Sequence, residues 1–266
     1  MGRINREKMM HRFFVQQKID IDMTVQIIEE DYLHLKNSLR IRIGESIEIS
    51  DGCGNTYIAS VIDFKKDCCE AMLKEKVKSS NEPDCKITLY PALLKGDRFE
   101  SMIQKCVEGG VYAIKPVITS NTIVDIVDKN TEKKVERWSK VCRLACMQSK
   151  RDILVNIDKP VNLYEAIECL KRNENTKHLS FVCYEAEKED SIKNILDKAV
   201  EEGIRDINVF IGPEGGFHEK EIKRFSENEI HAVHIGRRIL RADTAAFCAV
   251  YFTTMRYELF NDFDCK

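Results

Sequence analysis

Residues 207–228 read Ile-Asn-Val-Phe-Ile-Gly-Pro-Glu-Gly-Gly-Phe-His-Glu-Lys-Glu-Ile-Lys-Arg-Phe-Ser-Glu-Asn. Ile207–Ile211, apolar but for Asn208, is a short run of the kind that forms a buried strand. His218–Asn228 reads as a helix. Between them, three glycines and a proline make a tight, fixed turn that lets a ligand approach the backbone closely. The turn matches neither the phosphate loop nor the dinucleotide fingerprint. Glu214 also argues against phosphate, because a carboxylate there would repel it. A neutral or cationic small molecule fits better.

The same strand–turn–helix rhythm extends in both directions. Upstream, Ile87–Leu94 predicts a strand, and Phe99, Met102, Ile103, Cys106 and Val107 recur at helical spacing until Gly109-Gly110. Val111–Thr119 predicts the next strand. Thr131 opens a helix with Val135, Trp138, Cys142 and Ala145 on one face. Asn162 and Glu165 form a capping-box pattern ahead of Leu163, Ala166, Ile167 and Leu170. Leu179–Tyr184 predicts a strand, and Ser191–Glu202 a helix stopped by Gly203. Downstream, Ile230–Ile235 predicts a strand. The last helix, Thr244–Leu259, is apolar nearly all round, so it should be buried in the fold or in a subunit contact. This alternation predicts an α/β fold with a mostly parallel sheet covered on both faces. Ligands then bind beyond the carboxyl ends of the strands. Three ends matter: Tyr184-Glu185, Gly212–Phe217 and Gly236–Thr244. In the third, Asp243 or Thr244 is placed to cap the final helix.

Before about Cys85 the period is different. Ile47 and Ile49 alternate with polar residues, Asp51–Asn55 reads as a turn, and Tyr57, Ala59 and Val61 resume the alternation. Ala71–Val77, His11–Val15 and Val25–Ile28 are further strand candidates, and Asp31 could cap a short helix through Leu39. Short strands with turn signals imply a small β-barrel or sandwich. The polar stretch Lys78–Asp84 reads as the linker. The expected division is therefore a β-barrel domain over residues 1–80 and an α/β domain over residues 85–262.

Composition narrows the class further. The chain has 266 residues, 43% of them hydrophobic and 32% charged, with 12 Gly and only 5 Pro, which excludes collagen-like and low-complexity classes. No apolar run approaches the ~18–20 residues of a membrane span, and Met1–Val15 lacks an apolar signal core. No membrane partner and a cytoplasmic location are expected. The eleven cysteines are scattered, with no C-x-x-C pair, so buried thiols and no metal site are expected. A net charge of −2 does not announce a nucleic-acid partner, but the distribution does more. Seven basic residues fall between Lys133 and Arg151 against one acid, Glu136. Arg237, Arg238 and Arg241 form a second cluster.

Gly212–Phe217 taken with Ile235-Gly236-Arg237-Arg238-Ile239-Leu240-Arg241-Ala242-Asp243-Thr244-Ala245 resembles the signature of the ribosomal RNA small subunit methyltransferase E family, of the SPOUT class. The likeness covers nearly the whole chain. His11–Val15, His34, Leu39-Arg40, Gly44-Glu45 and Asp51–Gly54 follow its PUA-like barrel. Lys95–Glu100 with Gln104-Lys105 and Glu108, and Gln148–Arg151, match two further blocks. Asp243 stands where the family usually has the longer Glu, Ala242 where Thr is common, and Val155 where Pro is frequent. Residues 1–9 precede the family's usual start.

The resemblance implies a PUA-like barrel followed by a methyltransferase domain with a deep trefoil knot, and a homodimer. It implies S-adenosylmethionine as methyl donor and N3 of a uridine in the 16S rRNA of the 30S subunit as acceptor. Uridine N3 must lose its proton, so an arginine near O2 or O4 would stabilise the developing anion. Arg241 is the candidate for that role, with Asp243 or Glu214 orienting it or accepting the proton. Tyr184, Gly212, Pro213, Gly215, Gly216, Ile235, Gly236, Ile239, Leu240, Ala242 and Thr244 would hold the donor. Arg12, Lys95, Arg98, Arg137, Lys140, Gln148 and Arg151 would contact RNA, with Lys133–Arg151 as a phosphate-binding face. Two other readings compete: a non-catalytic RNA-binding or ribosome-assembly protein of the same fold, and a flavodoxin-like oxidoreductase, against which the missing phosphate loop counts.

Overall fold

The computed structural model describes residues 10–78, 81–123, 128–171 and 177–264, and divides the chain into two compact units. The first contains Met1–Glu82 together with Cys146–Leu154; the second contains Pro83–Ala145 and Val155–Lys266. The polar stretch around Glu82-Pro83 is thus a boundary. The return of Cys146–Leu154 to the first unit leaves no trace in the hydrophobic period.

The first unit is a five-stranded sheet built from β1 (Arg12–Phe14), β2 (Thr24–Ile28), β3 (Ser46–Ser50), β4 (Thr56–Phe64) and β5 (Cys68–Lys76), in the order β1-β3-β4-β5-β2. β1 pairs parallel with β3, and the other pairings are antiparallel. Ile47, Ile49, Tyr57, Ala59 and Val61, which alternate in the sequence, all point into one core with Phe13, Leu35 and Leu73. The short helix α1 (Glu29–Leu33) begins directly where β2 ends, with no side-chain cap, and then widens into a π-helical turn over His34–Ser38. Asp31 lies inside the first turn, so it is not the cap expected from its type.

Cys146–Leu154 is locked into this unit by polar contacts. Asp152 is buried and accepts from Arg12 Nη1 at 2.7 Å, from Thr56 Oγ1 at 2.6 Å and from the Asn81 N–H at 3.0 Å. Arg12 Nε also donates to Glu48 at 2.8 Å. The Glu82 carboxylate accepts from the Arg151 guanidinium and from the N–H groups of Asp152 and Ile153. Buried charges persist only when paired and hydrogen-bonded in this way.

The second unit is built on a six-stranded parallel sheet. Its strands are β6 (Lys86–Pro91), β7 (Ala113–Ile114), β9 (Asn156–Ile157), β11 (His178–Cys183), β12 (Asp206–Ile211) and β13 (His231–Val233), in the order β13-β11-β12-β6-β7-β9. Two short strands, β8 (Val117–Ile118) and β10 (Val161–Asn162), pair separately. The single strand expected over Val111–Thr119 is therefore split between two sheets. Pro116 sits at the break, where its missing N–H cannot join a ladder.

The helices of the unit are α2 (Arg98–Glu108), α3 (Asp128–Gln148), α4 (Leu163–Lys171), α5 (Ile192–Glu201), α6 (Glu219–Ser226) and α7 (Ala242–Asp264). α3 opens at Asp128, three residues before the expected Thr131, and its last turn belongs to the first unit. Ser191 caps α5, and Asn162 Oδ1 accepts the Tyr164 N–H at the start of α4. Phe99 of α2 packs on Trp138 of α3 with ring centroids 4.6 Å apart. α7 buries Ala246, Ala249, Val250, Thr253, Thr254 and Tyr257, yet Tyr251 and Phe252 remain 47% and 39% exposed. Among the described residues, the all-round apolar helix is thus covered on one face and open at Tyr251 and Phe252.

Candidate active site

The chain turns back at β12: β11 lies on one side of it, and the strand that follows, β13, lies beyond β11. Reversals of this kind leave a crevice at the carboxyl ends of the strands. A cavity of about 530 Å³ opens there. Its wall comes from Cys183–Glu185 after β11, Ile211–Glu214 with Gly216 and Phe217 after β12, and His234–Asp243 after β13. Leu94 and Arg98 close it from the β6–α2 turn. All three strand ends read from the sequence meet in this one place.

The turn after β12 is fixed from several directions. The Gly216 N–H donates to Pro213 O at 3.0 Å, and Gly216 has φ +67°, a conformation that costs any other residue strain. Asn121 Nδ2 donates to the carbonyl oxygens of both Gly215 and Gly216 at 3.1 Å. Buried Glu221 accepts from the Ser120 N–H and the His218 N–H, each at 2.8 Å, which ties the Asn121 turn to the start of α6. Phe217 anchors the far end edge-on to Phe225, with centroids 5.1 Å apart.

Glu214 is held at the β6–α2 turn. Its Oε1 accepts the Lys95 N–H at 3.3 Å and lies 3.7 Å from Arg98 Nη1. It makes no ion pair with Arg241. Among the described residues Arg237, Arg238 and Arg241 have no carboxylate within ion-pair distance, and all three are exposed on the cavity wall. Arg241 also opens α7: its carbonyl accepts the Ala245 N–H at 2.8 Å. The helix begins at Ala242, so neither Asp243 nor Thr244 is its cap. Asp243 sits in the first helical turn and faces the cavity, where negative charge suits a helix N-terminus. Burial pushes the Cys183 thiol well above the ordinary range, which keeps it neutral.

Of the residues read as donor-binding, Tyr184, Gly212, Pro213, Gly216, Ile235, Gly236, Ile239, Leu240 and Ala242 line the cavity, as do Arg241, Asp243 and Glu214. Gly215 and Thr244 do not: Gly215 faces Asn121, and Thr244 is absent from the wall although Asp243 and Ala245 on either side of it line the cavity. The residues read as RNA-binding separate into two groups. Lys95, Arg98, Arg137, Lys140 and Gln148 are exposed, Arg137 bridging to Glu100 at 2.7 Å. Arg12 and Arg151 are each 3% exposed and committed to carboxylates inside the first unit, so neither is available to a phosphate. Residue type suggested an RNA contact; only the fold reveals the acids that consume them. Asn121 and Glu221 went unnoticed in the sequence, where nothing marks a lone Asn in a polar turn.

The fold and the cavity define a class, an RNA methyltransferase carrying a PUA domain. The family model described as an RNA methyltransferase domain matches residues 81–253, and that of the RNA methyltransferase PUA domain matches residues 27–70. The chain belongs to the ribosomal RNA small subunit methyltransferase E family. It is 32% identical over 237 residues to the member from Mesomycoplasma hyopneumoniae, covering 89% of this chain and 96% of the relative. With the Bacillus subtilis member the identity is 28% over 255 residues, covering 94% and 98%. The crystal structure of the Neisseria gonorrhoeae member bound to S-adenosylmethionine superposes with a TM-score of 0.83 at 28% identity, covering 93% and 98% of the two chains. A Legionella pneumophila methyltransferase in complex with the same cofactor gives a TM-score of 0.82 at 26% identity, covering 92% and 97%.

Proposed function

We propose that this protein transfers a methyl group from S-adenosylmethionine to uridine N3 in 16S rRNA, at uracil 1498. The carrying observation is that one cavity gathers Gly212–Glu214, Gly216 and Ile235–Asp243 around Arg241, which no carboxylate among the described residues pairs. The cavity suits the donor. Its volume accommodates a nucleoside with a side chain, its glycine turn leaves backbone open, and its wall carries both carboxylates and arginines, able to meet the charges of an amino-acid portion. The bound donor supplies an electrophilic methyl on a sulfonium.

The chain's own residues supply position and charge. The backbones of Ile235, Gly236, Ile239, Leu240 and Ala242, with Gly212 and Pro213, hold the adenosine. Arg241, always charged and rich in donors, stabilises the uracil ring as N3 loses its proton. Asp243 accepts that proton, since Glu214 is engaged by Arg98 and the Lys95 N–H. The N3 edge is hidden in a paired helix, so the target base must be open or flipped to enter.

The exposed basic face of α3, with Lys133, Arg137 and Lys140, and the first unit contact RNA by backbone and shape. The open Tyr251–Phe252 side of α7 supports a homodimer, and the family supports a SPOUT-class trefoil knot. A cytoplasmic location accords with a ribosomal substrate. Among the described residues no helix is long and apolar enough to cross a membrane, and no group of metal-ligating side chains converges.

Incubating the protein and S-adenosylmethionine with 30S subunits that lack the modification, then mapping the methylated base, tests the reading. Methyl incorporation at uridine N3 is expected. Binding of RNA without donor binding or methylation would instead make this a non-catalytic relative.

A further inference from the structure

Glu185 stands just past the end of β11 and lines the cavity. Its carboxylate lies directly against the glycine turn: a Cβ at Gly216 would come within 2.9 Å of Glu185 Oε1. That turn cannot swing away, because Asn121 holds the carbonyls of Gly215 and Gly216.

Two neighbouring glutamates are engaged. Glu214 takes the Lys95 N–H and Arg98, and Glu187 accepts the N–H groups of Lys188 and Glu189 at 2.8 Å. Glu185 makes no hydrogen bond or ion pair among the described residues, although Arg237, Arg238 and Arg241 line the same cavity. Exposed carboxylates are ordinarily served by water alone. This one differs because a glycine occupies the position where any side chain would displace it.

S-adenosylmethionine carries two positive centres, the sulfonium and the α-ammonium. A sulfonium offers no hydrogen to donate, so a protein can answer it only with negative charge. We propose that Glu185 is a donor-binding residue whose carboxylate pairs with a cationic centre of the methionine portion of S-adenosylmethionine. The inference rests on the reading of this cavity as the donor site. Its consequence is selection by charge: the site prefers the cationic donor to neutral nucleosides of the same shape.

Calorimetry on the full chain with S-adenosylmethionine and with neutral 5′-methylthioadenosine tests this. Glu185→Gln, isosteric at an exposed position, should weaken the donor by about tenfold, the lower range for a hydrogen bond or pair to a charged group. It should leave 5′-methylthioadenosine within about twofold, since that ligand lacks both positive centres. Gly216→Ala, which pushes the carboxylate aside, should show the same preferential loss. Equal losses for both ligands would reassign Glu185 to the ribose or adenine and overturn the proposal, as would a donor affinity unchanged by Glu185→Gln. If the unaltered protein itself fails to bind S-adenosylmethionine, the reading of the cavity falls, and this inference with it.

Discussion

The guanidinium of Arg12 meets the carboxylate of Asp152 at 2.7 Å, with both side chains closed to solvent. Removing one partner of such a pair strands the other charge in a dry environment and typically costs about 3–5 kcal/mol. Arg12→Ala should therefore lower the urea midpoint of the protein markedly. Loss of RNA affinity with stability intact would return Arg12 to the RNA-binding surface.

Gly216 and Gly215 are adjacent but unequal. At φ +67° an alanine at 216 costs about 1–2 kcal/mol of backbone strain and meets Glu185, whereas at 215 its Cβ would sit 3.4 Å from Asn121. Gly216→Ala should reduce donor affinity and Tm together, and Gly215→Ala should change both little. The reverse ranking in calorimetry would show that the turn is built differently.

Arg241 faces the cavity without an ion pair among the described residues, so its substitution should act on the reaction rather than on loop structure. Removing one preorganised electrostatic interaction costs ~10²–10³ in rate. Arg241→Ala should lower single-turnover methylation by about that factor with donor affinity nearly unchanged, and Lys should rescue only in part. A loss of donor affinity that saturating donor overcomes would mark a bracing role instead.

Arg137, Lys140 and Arg143 lie along α3. Replacing all three with Ala should weaken RNA binding across sequences and flatten its salt dependence, by roughly 0.7–0.9 in slope for each phosphate no longer neutralised. Filter binding over a salt series reads both quantities. An unchanged slope would leave α3 as a solvated surface.

The described thiols differ in exposure. Cys53 and Cys169 are exposed, while burial pushes Cys69 up to about 11 and Cys85 up to about 12. At pH 8 the native protein should react with thiol reagents at Cys53 and Cys169, and at Cys69 and Cys85 only after unfolding. Because folding raises these pKa values, the fold binds protons that the unfolded chain releases. The associated stability is complete below the ordinary thiol value of 9.0 and is lost as pH climbs through 11–12. Mass spectrometry of labelled peptides checks the first statement, and melts between pH 8 and 12 the second.

The elements legible in the sequence are those whose cause is local. The alternation Ile47–Ile49 and Tyr57–Val61, the helical spacing of Phe99–Val107 and the mostly apolar run Ile207–Ile211 each appear in the structure where the period places them. The cavity was legible too, because ligand-facing turns follow strand ends and the three candidate ends were each marked by glycine or charge. Three helix starts, those of α1, α3 and α7, and one strand were misplaced. Asp31 and Asp243 look like caps by type, yet a cap depends on where the preceding strand or loop delivers the chain. Pro116 divides the one strand expected over Val111–Thr119 between two sheets.

By itself, the sequence determined two regions of different period, a parallel α/β unit with its site at three strand ends, and the residues from which the cavity is lined. Tertiary structure alone decided which charges are free. Arg12 and Arg241 are the same side chain in a sequence, but Asp152, 140 positions away, consumes one, while no carboxylate among the described residues reaches the other. It also decided that Asn121 holds the glycine turn from 94 and 95 residues upstream. Periodicity reports which face of an element is apolar, because that depends on neighbours three or four residues apart. Pairing across the fold depends on where the chain returns, and that is set by the packing of whole elements.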